Sequence, residues 1–330
     1  MHAMSYSRFG PAAEILEKIT MPTPTPQHGE VLVELAFSGV NPSDVKSRAG
    51  MAPGVTKPAF ERIVPHSDGA GTIVSVGEGV DPRRMGTRVW IWNGQWQRAF
   101  GTAATHICLP QDLAVALPDS VTFETGASLG IPGLTACHAV FGGGTVAGQT
   151  VLVQGGAGTV GLLAVQLAKW GGAKVIATTG TQGAQAARTA GADAVIDYTM
   201  PDLGSAILDA NDGKFIDRIV EVEFGINVST DAAVIKPNGI ISVYGSAKEM
   251  TPELDFRPLL FKAATIDIQL VYLLPKSERN AAIAGLHEAL GSGAMSIPVA
   301  TTFPLAQCAQ AHEAVEAGGR SGAVLIDVQA

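Results

Sequence analysis

The sequence predicts an α/β protein in two domains, one β-rich and one built on a doubly wound parallel sheet. Three observations carry that expectation. The chain has 330 residues, more than one hydrophobic core usually holds. From residue 150 onward, short apolar runs alternate with helical segments, the rhythm of a parallel sheet. The first such run is followed by Gly156-Ala157-Gly158-Thr159-Val160-Gly161, a G-x-G-x-x-G loop that opens a helix.

Composition narrows the class. Hydrophobic residues make up 46% and charged residues 16%, which excludes a disordered chain. Glycine, at 39 residues, exceeds the average of about 7% and predicts many tight turns. Lys plus Arg number 22 against 30 Asp plus Glu, a net charge of −8. A chain this acidic lacks the broad basic field that nucleic acid requires, so any phosphate must be gripped locally. Cys108, Cys137 and Cys308 lie 29 and 171 residues apart (137 − 108 and 308 − 137), a spacing that suits neither a disulfide framework nor zinc. No apolar run reaches the roughly 20 residues of a membrane span. Residues 1–10 lack a basic stretch followed by an apolar one, so the expectation is a reduced, cytoplasmic protein.

The elements follow in order. After the turn-rich segment 22–26, residues 31–37 read as a strand; 71–76 alternate with period two before Gly77-Glu78-Gly79 breaks them. Residues 88–92 form another strand, closed by Asn93-Gly94, a hairpin-type turn signal. Short strands with glycine punctuation suggest a small barrel or sandwich. The pattern changes near residue 119: a helix starts over 122–128, and a small-residue helix covers 132–140. Strand 150–153, the glycine loop, helix 160–170 and strand 174–178 make the first β-α-β unit. Strands at 194–196, 216–220 and 239–243 follow, then helices at 277–290 and 305–317 and a last strand at 323–327.

The glycine loop predicts dinucleotide binding. Glycines permit a tight turn and close approach of backbone N–H groups to a pyrophosphate, while the helix N-terminus adds partial positive charge. An NAD site wants an acid at the end of the second strand, to bond the ribose 2′-hydroxyl. This sequence offers Thr178, Thr179, Gly180 and Thr181 instead. A 2′-phosphate is not repelled there and hydroxyls can donate to it, so NADP(H) is favoured. Arg188 is the nearest cation in sequence; Arg320 and Tyr198 reach the phosphate only if the fold brings them there.

The chain resembles the medium-chain dehydrogenases/reductases, specifically their zinc-free, quinone oxidoreductase (zeta-crystallin-like) branch, over nearly its full length. The resemblance rests on 39–44 (Gly-Val-Asn-Pro-Ser-Asp), 73–77 with 86–89, 130–136 (Gly-Ile-Pro-Gly-Leu-Thr-Ala), 151–161 and Tyr244-Gly245-Ser246. It implies a GroES-like catalytic domain from residues 1–121 and 272–330 around a Rossmann domain at 122–271, usually as a homodimer. It also implies cofactor contacts. Gly156 and Gly161 shape the loop that sets Ala157, Gly158, Thr159 and Val160 at the pyrophosphate. Gly180 and Tyr198 serve the adenosine end, beside Thr179 and Arg320 read from the residues themselves as further cofactor candidates, and Asn227, Tyr244, Gly245, Ser246 and Ala247 the nicotinamide half. Asn41 and Thr135 approach the nicotinamide and acceptor. Lys46 stands where a cofactor-contacting tyrosine is common, and no tyrosine remains in residues 45–52, which leaves the proton donor open. Zinc alcohol dehydrogenases place a Cys within the segment matching 39–44 and a His-Glu pair where Pro65-His66-Ser67-Asp68 stands; this chain has no Cys near either.

Without a Lewis acid, hydride transfer suits acceptors already activated by conjugation, so the expected substrate is a quinone or a conjugated enone. One alternative is an alkenal or enoyl double-bond reductase with incidental quinone activity. Another is an NADPH-binding module with little turnover. Plainer roles are weighed beside these: Asn41 as a turn residue, Lys46 as a solvated side chain, His138 and the Cys108 and Cys137 thiols as structural, and Glu221 and Glu223 as solvated strand-end groups.

Overall fold

The computed structural model describes residues 1–52 and 54–330, and they fall into two units, 1–131 with 297–330, and 132–296. The spine of the first unit is strand Glu30–Val40. Along one side it pairs with Asp68–Val76. Along the other it meets His106–Pro110 over residues 30–34 and Ala323–Asp327 over residues 37–40. Arg88–Ile91 and then Ala114–Ala116 extend the sheet beyond Asp68–Val76, and Val299–Pro304 extends it beyond Ala323–Asp327. Register shifts between Leu32/Val33 and Leu35/Phe37 mark bulges that bend the spine so it can serve two partners. Its inward residues Val31, Val33 and Leu35 are fully buried with Ile73, Val89, Ile91, Ile107 and Leu109.

The β-rich expectation holds, with one correction. Asn93-Gly94 does not close a two-residue hairpin. Strand Arg88–Ile91 pairs with Asp68–Val76 and Ala114–Ala116, and the next strand starts at His106. Asn93 is left-handed (φ 53°), and Gly94 donates its N–H to the carbonyl of Ser67 at 2.8 Å. The turn signal is thus used to dock a loop rather than to reverse a strand.

The second unit is a six-stranded, wholly parallel sheet. Its order is Ala194–Asp197, Lys174–Thr179, Thr150–Val153, Ile216–Glu221, Ile235–Val243, Thr265–Ile268. Central strands read as continuous apolar runs because helices cover both faces; Val151, Leu152, Val153, Val175, Ile176 and Ala177 are all fully buried. Strand order reverses between Thr150–Val153 and Ile216–Glu221, which opens a crevice at the carboxyl ends of those strands.

The units differ from the expected boundaries at 121/122 and 271/272. Residues 122–131 join the first unit, where Ile131 donates its N–H to the carboxylate of Asp68 and Arg88 lies over the ring of Phe123. Residues 272–296 join the second. Helix Lys276–Gly291 packs on helix Leu134–Phe141, and Gly285 leaves room for the sulfur of Cys137.

Gly71 sits at the second bulge, where a Cβ would stand 2.0 Å from the carbonyl oxygen of Glu34. Neither backbone can yield without losing ladder bonds. Gly71→Ala is expected to destabilise the protein by about 2–3 kcal/mol, read as a lower urea midpoint; an unchanged midpoint would show that the spine tolerates the shift.

Candidate functional site

The crevice of the second unit is formed by the glycine loop between strand Thr150–Val153 and helix Thr159–Trp170. Gly158 is the helix N-cap and brings no side chain to cap the first turn, the end of a helix at which backbone N–H groups suit an anion. Gly161 explains why the loop must be this tight: a Cβ would lie 2.2 Å from the carbonyl oxygen of Gly155. At Gly156 it would lie 2.7 Å from the Cβ of Ala177 on the second strand. Gly156, Ala157, Gly158, Thr159, Val160 and Gly161 form one tight turn between the first strand and its helix, in which Gly156 and Gly161 have no room for a side chain.

Thr178 has a different task from the one anticipated. Its hydroxyl donates to Oε1 of Gln154 (2.6 Å) and accepts the N–H of Gly155 (3.2 Å), so it shapes the loop rather than meeting a phosphate. Thr181 donates to the carboxylate of Asp197 at 3.0 Å. Thr179 is buried, and Gly180 lies under the phenol of Tyr198, whose oxygen a Cβ there would approach to 3.0 Å. Arg188 is exposed on helix Ala184–Thr189. Arg320 belongs to the first unit, where its guanidinium donates to the carbonyl of Val315 near the end of helix Cys308–Ala317.

On the other side of the crevice, the turn after strand Ile235–Val243 is held by acids that sequence reading had placed in solvent. Glu221 is fully buried; it accepts the amide of Asn227 at 3.0 Å, and its backbone carbonyl accepts the N–H of Tyr244 at 2.9 Å. Burial pushes its carboxyl up, and Asp231, fully buried beside it, is pushed well above the ordinary range by burial and by the charge of Glu221. Gln154 donates to Oδ1 of Asp231, whereas Oδ2 receives no N–H, and burial beside the Glu221 charge favours the protonated form of Asp231. Glu223 accepts the N–H groups of Ala247 (3.0 Å) and Lys248 (2.7 Å). Ser246 accepts the N–H of Gly225 and donates to the carbonyl of Glu249. A Cβ on Gly245 would come within 2.5 Å of the carbonyl of Val222. Asn227 and the stretch Tyr244 to Ala247 therefore do meet at one strand end, preorganised by bonds of their own. Thr135 is buried on helix Leu134–Phe141, its carbonyl accepting from Gln269. His138 is buried within 3.6 Å of Glu278, and Cys137 is buried beside it. Cys108 is half-buried.

In the first unit, Asn41 caps helix Pro42–Ala49. Its backbone N–H goes to the carboxylate of Asp44 (2.8 Å) and its side-chain amide to that of Asp68 (2.8 Å). Asp68 is fully buried and also accepts the N–H of Ile131 at 2.9 Å. Burial pushes Asp68 well above the carboxylate range and Asp44 up to about 7, the latter opposed by N–H groups of Asn41 and Ser67. This oriented amide lies deeper than a turn residue would. Lys46, by contrast, is exposed on the solvent side of the helix.

Comparison with known proteins follows these units. Residues 27–119 match the family described as alcohol dehydrogenase GroES-like domain, and residues 159–286 the family described as zinc-binding dehydrogenase. A quinone oxidoreductase of Rattus norvegicus is 30% identical over 99% of this chain and 97% of its own. A chloroplast envelope quinone oxidoreductase homolog of Arabidopsis thaliana is 31% identical over 99% and 98%. The structure of Escherichia coli quinone oxidoreductase complexed with NADPH superposes with a TM-score of 0.86 at 26% identity, covering 99% of this chain and 100% of that one. The zinc in one family description does not suit Asn41 and Asp68. They bond to each other, and Asp68 is already engaged by Ile131; an amide and a carboxylate so occupied, with no thiolate beside them, make a poor zinc cradle.

Because the Asp44 carboxyl is held near 7, the folded protein keeps its proton where the unfolded chain has lost it. Stability from this group is full below the ordinary carboxylate pKa and is lost as pH rises to about 7. Asp44→Asn is expected to flatten that fall in thermal midpoint; an unchanged pH profile would show that Asp44 ionises normally.

Proposed function

The chain belongs to the medium-chain dehydrogenase/reductase superfamily, in its quinone oxidoreductase branch, and we propose that it is an NADPH-dependent oxidoreductase that reduces a quinone to its hydroquinone. The observation that carries this reading is the uncapped helix N-terminus under Gly156 to Gly161, a cradle for a dinucleotide pyrophosphate at the switch point of the sheet. The NADPH held by the Escherichia coli relative supports the choice of cofactor. When bound, that cofactor supplies a hydride; the proton that completes the hydroquinone comes from water.

What the chain contributes is placement. Gly156, Ala157, Gly158, Thr159, Val160 and Gly161 seat the phosphates through backbone N–H groups. Thr179, Gly180 and Tyr198 line the adenosine end, with Arg320 kept as a candidate. Asn227 and Tyr244, Gly245, Ser246 and Ala247 shape the nicotinamide end, with Thr135 on helix Leu134–Phe141. Burial and the nearby Glu221 charge keep the phenol of Tyr244 protonated, so it keeps an O–H to donate. Asn41, oriented by Asp68, is the acceptor-side group, and Lys46 is kept beside it as a weaker candidate. Catalysis is independent of zinc at Asn41 and Asp68, since those groups are engaged with each other.

A second copy of the chain is the proposed partner. Strand Thr265–Ile268 has a neighbour on one side only, and Ile268 and the nearby Phe261 are 76% and 77% exposed, an apolar edge suited to pairing across a two-fold axis. The three cysteines are unpaired, which fits a reducing compartment such as the cytoplasm, and no helix among the described residues is long and apolar enough to cross a membrane.

Two measurements decide these points. Oxidation of NADPH followed at 340 nm, with a chelator present, is expected to be fast with a quinone and at least about tenfold less efficient, in kcat/KM, with NADH, a difference of about 1.4 kcal/mol. Turnover confined to conjugated enones would move the acceptor to that class, and NADPH binding without turnover of either would make the chain a binding module. Light scattering is expected to give twice the chain mass; a monomer at micromolar concentration would refute the pairing.

A further inference from the structure

Helix Cys308–Ala317 carries Cys308 and His312 four residues apart and therefore on one face, and both side chains are fully buried. Facing them is His66, also fully buried, on a backbone with φ 78°, a region uncommon for residues other than glycine although histidine enters it more readily than most. Its Nε2 lies 2.9 Å from Nε2 of His312 and 3.8 Å from Sγ of Cys308. The three donor atoms all stand within 4.8 Å of one another, the only such trio of potential ligands among the described residues.

A hydroxyl chain behind His66 settles its protonation. The carbonyl of Asp68 only accepts, so Thr102, 2.5 Å away, donates to it. Ser38 then donates to Thr102 (2.8 Å) and accepts from Nδ1–H of His66 (2.9 Å). Nε2 of His66 is left with a bare lone pair aimed at His312 and Cys308. Fixing a ligand's tautomer through its far nitrogen is how metal sites orient imidazoles. Without an ion, that lone pair must take a proton from His312 or from the thiol.

We propose that His66, Cys308 and His312 form a closed site for monovalent copper, separate from Asn41 and Asp68. Separations of 2.9 Å between the two imidazole nitrogens and 3.8 Å from nitrogen to sulfur are close to those produced by ligand bonds of about 2.0 Å to nitrogen and about 2.3 Å to sulfur. Two imidazoles and a thiolate without a carboxylate select a soft ion. Copper(I) takes three ligands and one thiolate balances its charge, with the buried Arg48 and Asp44 as the charged groups nearby. Zinc would want a fourth ligand and would leave a buried positive charge. On binding, two Cu–N bonds and one Cu–S bond form. The S–H bond of Cys308 breaks and its proton leaves to solvent, while His312 carries its remaining proton on Nδ1. No electron is transferred.

The test is an anaerobic titration of the metal-stripped full chain with copper(I) against a chromophoric chelator, followed to equilibrium because the site is closed. One copper per chain, one proton released per copper, and ultraviolet thiolate-to-copper absorption are expected. Cys308→Ser and His312→Gln are expected to weaken binding at least about a hundredfold, while Cys108→Ser leaves it intact. No copper retained against the chelator, or binding lost in Cys108→Ser and kept in Cys308→Ser, would overturn the assignment. So would one zinc per chain that copper does not displace. Should the Cys308 and His312 variants fail to fold, X-ray absorption of the wild-type copper form decides: two nitrogens and one sulfur support the site, and any other first shell refutes it.

Discussion

Asp68 is a carboxyl group buried with no cation beside it among the described residues, and much of the first unit is arranged to satisfy it. Its oxygens take the amide of Asn41 and the N–H of Ile131, and its backbone carbonyl takes the hydroxyl of Thr102. Gly130 is required next to it, because a Cβ there would fall 2.0 Å from Oδ1. A buried polar group without partners is expensive, so each of these segments must arrive in register for the unit to close. That single requirement draws residues 122–131 to the β-rich unit, orients Asn41 and, through Thr102 and Ser38, sets the tautomer of His66.

The second unit meets the same problem with different chemistry. Its loops at the carboxyl ends of the strands take their shape from side chains beneath them. Thr178 and Gln154 brace the glycine loop, Gln154 reaches Asp231, and Asp231 lies beside Glu221, which in turn holds Asn227 and the turn at Tyr244. The two sides of the crevice are thus joined by one buried polar chain, so the cradle is rigid before any ligand enters it.

Much of this was legible before any coordinates. Strands 150–153, 174–178 and 323–327 fell where dense apolar runs put them, and the glycine loop identified its own place because only glycine permits backbone approach that close. Residue types with several uses were less readable. Thr178 reads in sequence as a candidate phosphate partner and Glu221 and Glu223 more readily as solvated ends than as site residues, because a hydroxyl or carboxylate looks the same in sequence whether it faces water or a buried donor. Asn93-Gly94 carried a true turn signal, but which strand would lie opposite depended on pairings far away in the chain.

The sequence by itself determined the fold class, the two kinds of domain, the dinucleotide loop and the family, because these rest on periodicity and on local steric rules that act over a few residues. Tertiary structure alone decided which acids are buried, where residues 272–296 pack, and that His66 meets Cys308 and His312 across more than 240 positions. Those outcomes follow from long-range closure, in which desolvation selects partners that neighbouring residues do not reveal.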